Sequence, residues 1–167
     1  RNCDWSSDVC SSDLTLSPNK FIGEYAYSID AKSRVNIPAR FRQALSVENE
    51  ETFFTTRGFD ACIYVIPAIV WQNMEMELSN LSSVSETNRS FIRNQTRHAS
   101  PSTYDKQGRI KIPASLLEYA GIEKDVTIIG MINKIEIWNA DRLAENDQNN
   151  LNLDSNSYDD LAGKIIL

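Results

Sequence analysis

Two stretches of the chain carry basic side chains at nearly the same spacing. Lys32 and Arg34 lie in DAKSRVNIPARF, Asp30 to Phe41, and Lys106, Gln107 and Arg109 lie in DKQGRIKIPASL, Asp105 to Leu116. The stretches align at an offset of 75 residues, with Asp, Arg, an apolar residue, Ile, Pro and Ala in register. An arginine fork can donate two N–H bonds to O6 and N7 of guanine, and a lysine can reach a phosphate or a guanine. Phosphate contacts position a protein on nucleic acid and base contacts give specificity. Two rigid loops, each presenting one Lys and one Arg, therefore suit a nucleic-acid duplex. A two-stranded β element fits its major groove.

Asp30 and Asp105 have a different place in this chemistry. A carboxylate at the start of a tight turn accepts backbone N–H bonds from that turn. Gly108 takes a positive φ freely, and its counterpart Ser33 does so less easily. Asp30, Asp105, Ser33 and Gly108 are thus read as turn-ordering residues. The aspartates could equally form local ion pairs with Arg34 and Arg109. If the four cationic heads share one exposed face, a duplex-binding function gains. If they are buried against the aspartates, a ring-forming or antitoxin-like interaction module without DNA readout gains. An enzyme using Asp30 or Asp105 with an arginine is disfavoured, because no second acid, base or nucleophile converges on them. No Cys/His cluster, Ser/His/Asp set or phosphate-cradling glycine loop occurs, so neither metal nor cofactor is expected. His98 reads as a linker residue, Cys62 as a buried strand residue, and Trp71 and Trp138 as core or interface. Glu75, Glu77 and Glu86 read as solvated helix faces.

The elements around the loops repeat as well. GEYAYSID (Gly23–Asp30) alternates and reads as a strand, AKSR as a turn, and VNIP as a strand with Val35 and Ile37 inward. ARFRQALS follows as a short helix with proline just ahead of it. TFFTTRGFDACIYVIP reads as two strands around RGFD. AIVWQNMEMELSNL places Ile69, Val70, Met74, Leu78 and Leu81 at helical spacing. A further helix is expected behind Ser85 as N-cap, with Phe91 and Ile92 on one face. STYD, KQGR, IKIP and ASLLEYAG then repeat strand, turn, strand and helix, the helix ending at Gly121. DVTIIGMINKIEIW reads as a hairpin turning near Asn133, and ADRLAEN as a helical start. ENDQNNLNLDSNS reads as a polar linker, and Tyr158, Leu161 and Ile165 as one face of a last helical turn or two. The class is α+β, with a small barrel or sheet built jointly by two pseudo-symmetric halves. Neither half would bury much surface alone.

The 167 residues carry a net charge of −6, a sign that opposes binding to a polyanion. The distribution reverses that impression. The leader Arg1–Leu14 is −2 and the tail from Asn139 is −4, so the body between them is neutral. Within it, Asp30–Arg42 is +3 and Arg89–Lys111 is +5. The leader contains DWSSDVCSSDL, a codon-by-codon translation of a common sequencing adapter, and 1–14 is set aside as a read artefact. Without it Cys62 is the single cysteine, which excludes an internal disulfide. No apolar run approaches the roughly 18 residues of a membrane span, and a cytoplasmic protein is expected.

GEYAYSIDAKSRVNIPARFR, TRGFDACIYVIP, YDKQGRIKIPASLLEYAGI and KIEIWN closely resemble the MraZ family, bacterial regulators with two SpoVT/AbrB-type repeats in one chain. The resemblance runs from about Phe21 to Leu143 and continues weakly into YDDLAGKIIL. It implies AbrB-like repeats of swapped-hairpin, double-psi-type small β-barrel form, at 24–71 and 99–143. A helical connection at 72–98 and a linker with a helical tail at 144–167 complete the chain. It implies double-stranded DNA as partner, at direct repeats upstream of the division and cell-wall gene cluster including the protein's own promoter. It also implies a closed homo-oligomeric ring, nucleoid association, and no membrane or small-molecule substrate. By that resemblance the DNA-contacting residues are Lys32, Arg34 and Arg109, with Lys106 and Gln107 on the second loop. The family's first motif usually has glycine where this chain has Ser33, which puts the geometry of that loop in question.

Overall fold

The structure, a computed structural model, describes residues 18–151 and 155–165. The leader set aside above lies outside them. The strands are β1 (Phe21–Ser28), β2 (Arg34–Asn36), β3 (Thr52–Arg57), β4 (Ile63–Pro67), β5 (Ser100–Thr103), β6 (Arg109–Lys111), β7 (Asp125–Ile132) and β8 (Ile135–Asn139). The longer strands are rich in β-branched and aromatic residues. The helices are α1 (Ala39–Ala44), α2 (Ala68–Ser79), α3 (Glu86–Thr96), α4 (Ala114–Ala120), α5 (Ala140–Asn150) and α6 (Ser155–Gly163). Prolines 38, 67 and 113 stand immediately before α1, α2 and α4. There the fixed φ of proline suits a strand-to-helix junction.

Six strands make one antiparallel sheet in the order β1-β7-β8-β4-β3-β5, and β2 pairs separately with β6. The repeat makes β1 equivalent to β5, β3 to β7 and β4 to β8, so this order reads the same from either end. At its centre Tyr64 faces Glu136, flanked by Ile63 with Ile137 and Val65 with Ile135. Each repeat lends its first strand to the other. β1 pairs along its whole length with β7, and β5 pairs with β3. The two halves are therefore one folding unit, since neither sheet segment is complete without its partner's strand. The α+β class and the two interleaved repeats match the expectation. The ladder itself is open, with β1 and β5 as its edges. The cause is local. At Asp30 and Asp105 the chain turns out of the sheet, and the short strands β2 and β6 pair with each other instead of extending the ladder.

The main core lies beneath that pair. Val35, Ile37, Ile110 and Ile112 are fully buried with Phe41 of α1 and Leu116 of α4, against Ile128, Ile135 and Ile137 of the sheet. Each such side chain contributes about 1.5–3 kcal/mol by leaving water. The other sheet face carries a smaller cluster of Cys62, Tyr64, Ile66, Trp71 and Trp138, covered by Val70 and Met74 of α2. The expected helical face of α2 is thus centred on Trp71, while Leu81 remains partly exposed. Ser85 caps α3, accepting the Asn88 N–H at 3.3 Å, but Phe91 is 41 % exposed.

The expected linker beginning at Glu145 is corrected. Helix α5 runs on to Asn150, and its start is capped by Asn139 Oδ1, which accepts from Asp141 and Arg142. None of its residues is buried. Leu143 packs against the Trp71 and Trp138 cluster, but the later half-buried positions of the same face are Asn146 and Asn150, so the second half of the helix has no apolar residue to mark it and reads as linker. Tyr158 and Leu161 do fall on a helix, α6, where both are 57 % exposed.

Candidate nucleic-acid interface

Both loops are built from one set of bonds. Asp30 Oδ1 accepts the backbone N–H groups of Lys32 and Arg34, each at 2.9 Å, and its own N–H donates to the Arg34 carbonyl at 2.9 Å. Asp105 Oδ1 accepts those of Gln107 at 2.9 Å and Arg109 at 3.0 Å, with the matching Asp105-to-Arg109 backbone bond at 2.9 Å. These N–H donors, that of the arginine foremost, hold both carboxyls below their ordinary range against a smaller opposing effect of desolvation. The aspartates therefore stay ionised and keep their turns closed. Ser33 and Gly108 both adopt left-handed backbone, at φ 61° and 77°. Serine thus follows the same backbone path as the glycine of the second repeat, so the expected departure of this loop does not appear in its backbone.

The turns are locked to each other as well as to themselves. Ile112 N–H donates to the Ser33 carbonyl at 2.8 Å, and Ile37 N–H to the Gly108 carbonyl at 2.9 Å. Between these bonds β2 and β6 pair as Arg34 with Lys111, Val35 with Ile110 and Asn36 with Arg109. Residues directly opposite in an antiparallel pair point to the same face, and successive residues alternate. Val35 and Ile110 point into the core. Arg34, Asn36, Arg109 and Lys111 therefore share the outward face of one two-stranded ribbon, with a turn leading into each strand. Arg42 of α1 braces the second turn, its Nε donating to the Ile37 carbonyl at 3.1 Å beside Gly108.

The alternatives posed for the cationic heads divide between residue types. Lys32, Lys106 and Gln107 are exposed, and neither lysine makes an ion pair among the described residues. Arg34 and Arg109 lie back on the aspartates. Arg34 Nε meets Asp30 Oδ2 at 2.8 Å, and Arg109 Nε meets Asp105 Oδ2 at 3.0 Å. Arg109 also reaches across the repeats, its Nη1 standing 3.6 Å from Asp30 Oδ2. Their side chains remain 29 % and 23 % exposed. The arginines are thus held ready at a partly open surface, neither free nor sealed. Lys106 and Lys32 are not strict counterparts: the 75-residue offset aligns Lys106 with Ala31 and Gln107 with Lys32. Asn36 and Lys111 were not singled out by the loop motif. Their alternation with Val35 and Ile110 was visible in sequence, but nothing local states that β2 and β6 pair.

The remaining candidates are structural. Cys62 is fully buried one residue before β4, and burial pushes its thiol far up. The Trp138 indole donates to Glu136 at 2.8 Å, and that of Trp71 to Glu75. Glu75 is therefore a partner of the buried tryptophan as well as a solvated residue. His98 lies between α3 and β5, where desolvation, then Arg57 and Arg97, lower its pKa. Among the described residues no group of His, Cys, Asp and Glu is placed to hold a metal ion, and no helix is long and apolar enough to cross a membrane.

Two interleaved repeats, each feeding an Asp-clamped basic turn into a shared two-stranded ribbon, define a two-repeat, swapped-strand α+β protein with a cationic outer face. The chain belongs to the MraZ family. The family model described as "MraZ protein, putative antitoxin-like" matches residues 21–94 and 96–157, one match per repeat. Relatives bearing the name Transcriptional regulator MraZ are similar over most of the chain. That of Halothermothrix orenii is 43 % identical over 122 residues, covering 73 % of this chain and 82 % of the relative. That of Clostridium beijerinckii is 39 % identical over 135 residues, covering 81 % and 92 %, and that of Clostridium tetani 38 % identical over 145 residues, covering 87 % and 96 %.

Proposed function

We propose that this chain is a sequence-specific DNA-binding transcriptional regulator in which Lys32, Arg34, Lys106, Gln107 and Arg109 contact the duplex. The observation that carries this reading is the β2–β6 pairing, which gathers residues 75 positions apart onto one ribbon face. A two-stranded ribbon is a shape that the major groove admits. The names of the relatives support the regulatory role. The targets are direct repeats upstream of the division and cell-wall gene cluster, including the protein's own promoter, and the protein acts on the nucleoid as a homo-oligomeric ring. Several subunits engaging adjacent repeats gain avidity without any new kind of contact.

A binding titration of the chain on its own upstream DNA, repeated across salt concentrations, tests this. Affinity should fall steeply with salt as phosphate counterions are released. Arg34→Ala and Arg109→Ala should each abolish the shift at salt where the parent binds, with melting behaviour recorded alongside to separate binding from folding. Unaltered binding by both variants would overturn the assignment. The pairing of both arginines with aspartates is the observation that favours the second reading, an antitoxin-like interaction module. That module would assemble normally and leave DNA unbound at moderate salt.

A further inference from the structure

The two ends of the ribbon are related by the repeat, yet they are chemically different. Position 36 corresponds to 111, and the pairs across the strands are Arg34 with Lys111 at one end and Asn36 with Arg109 at the other. One end offers two cations, the other a cation and a carboxamide. Asn36 and Lys111 are both exposed, and neither side chain makes a hydrogen bond or ion pair among the described residues. Arg34 is compensated by Asp30, whereas Lys111 has no carboxylate of its own. Like charges directly opposite on a ribbon are unfavourable in the free protein. A polyanion laid across that end removes the conflict.

We infer that Asn36 and Lys111 give the ribbon a direction, so that one chain reads a non-palindromic DNA site despite its near-twofold architecture. This rests on the DNA-binding reading above and specifies how that surface discriminates. At the Asn36–Arg109 end, the carboxamide is the group that pairs bidentately with N6 and N7 of adenine, beside a guanidinium suited to guanine. At the Arg34–Lys111 end, Lys111 takes a phosphate or a guanine. The unequal loop tips, Lys32 opposed by Gln107 and Ala31 by Lys106, add to the same asymmetry.

Selection of bound sites from a randomised duplex library, followed by titration of the winners, tests the inference with the full chain. The parent should enrich a site lacking twofold symmetry. Asn36→Ala should erase the preference at one base position, a loss of roughly 5- to 150-fold in discrimination, while other positions keep theirs. Lys111→Ala should weaken all duplexes alike and reduce the salt slope by about one. Lys111→Asn makes the two ends alike, and its selected site should gain a second copy of the Asn36-dependent preference, related to the first by the twofold. A palindromic parent site, or a Lys111→Asn site identical to the parent's, overturns the inference and leaves DNA binding standing. A parent that enriches no sequence and shifts no duplex overturns the DNA-binding reading itself. Both side chains point outward, and matching thermal melts establish that each variant folds.

Discussion

Gly108→Ala and Ser33→Gly perturb equivalent positions in opposite directions, and their difference measures how strongly the turns depend on left-handed backbone. At φ 77°, an added Cβ at Gly108 costs about 1–2 kcal/mol through its clash with the following carbonyl. It would also stand 2.5 Å from Cζ and Nε of Arg42. That guanidinium is the far end of a flexible side chain and moves aside, losing its 3.1 Å bond to the Ile37 carbonyl, worth about 0.5–1.5 kcal/mol. The smaller conformational freedom of alanine in the unfolded chain returns about 0.4–1 kcal/mol. The net cost is about 2 kcal/mol. Ser33 already sits at φ 61°, so glycine there removes about 1–2 kcal/mol of strain, while its extra unfolded-state entropy costs about 0.5–1 kcal/mol. Ser33→Gly should therefore stabilise slightly, by about 0.5 kcal/mol. Urea unfolding midpoints at unchanged m-value read both changes. Equal midpoints for the two variants, or a Ser33→Gly protein as weak as Gly108→Ala, would refute the assignment of strain to these positions.

Ile110→Ala should cost about 2–5 kcal/mol and Ile110→Val about 0.5–1.5 kcal/mol in the same urea assay, because Ile110 is fully buried opposite Val35. A loss below about 1 kcal/mol for the alanine variant would mean that the ribbon is not part of the core. The turn aspartates have depressed folded pKa values, so their contribution is complete above the ordinary carboxylate value of 3.8. It is lost as pH falls below that value through the folded pKa. Amide protection factors at Arg34 and Arg109, taken relative to the intrinsic exchange rate at each pH, should therefore be high at neutral pH and fall on acidification below about pH 4. Asp30→Asn and Asp105→Asn should each flatten that response in their own loop, and an acid response unchanged in both would discount the carboxylate clamps.

How far the chain could be read depends on the range of each interaction. The Asp-to-Arg turns were legible because every bond within them spans at most four residues, and Asp30 and Asp105 meet their predicted partners. Helix α2 was legible from apolar spacing, whereas the end of α5 was not, because its polar surface leaves no periodic trace. The site was half legible. The loop residues stand out by repetition, but Asn36 and Lys111 acquire their place only from a pairing between strands 75 residues apart.

Local chemistry, written twice in the chain, decides that two Asp-clamped turns lead into short strands whose apolar residues face inward and whose basic residues face out. Tertiary structure alone decides that β1 crosses to β7, that β5 crosses to β3, and that β2 meets β6 in the register setting Arg34 against Lys111. Strand pairing uses backbone groups that every residue carries. Its partner choice is therefore settled by which arrangement buries Val35, Ile37, Ile110 and Ile112 together, a property of the whole core rather than of any one segment.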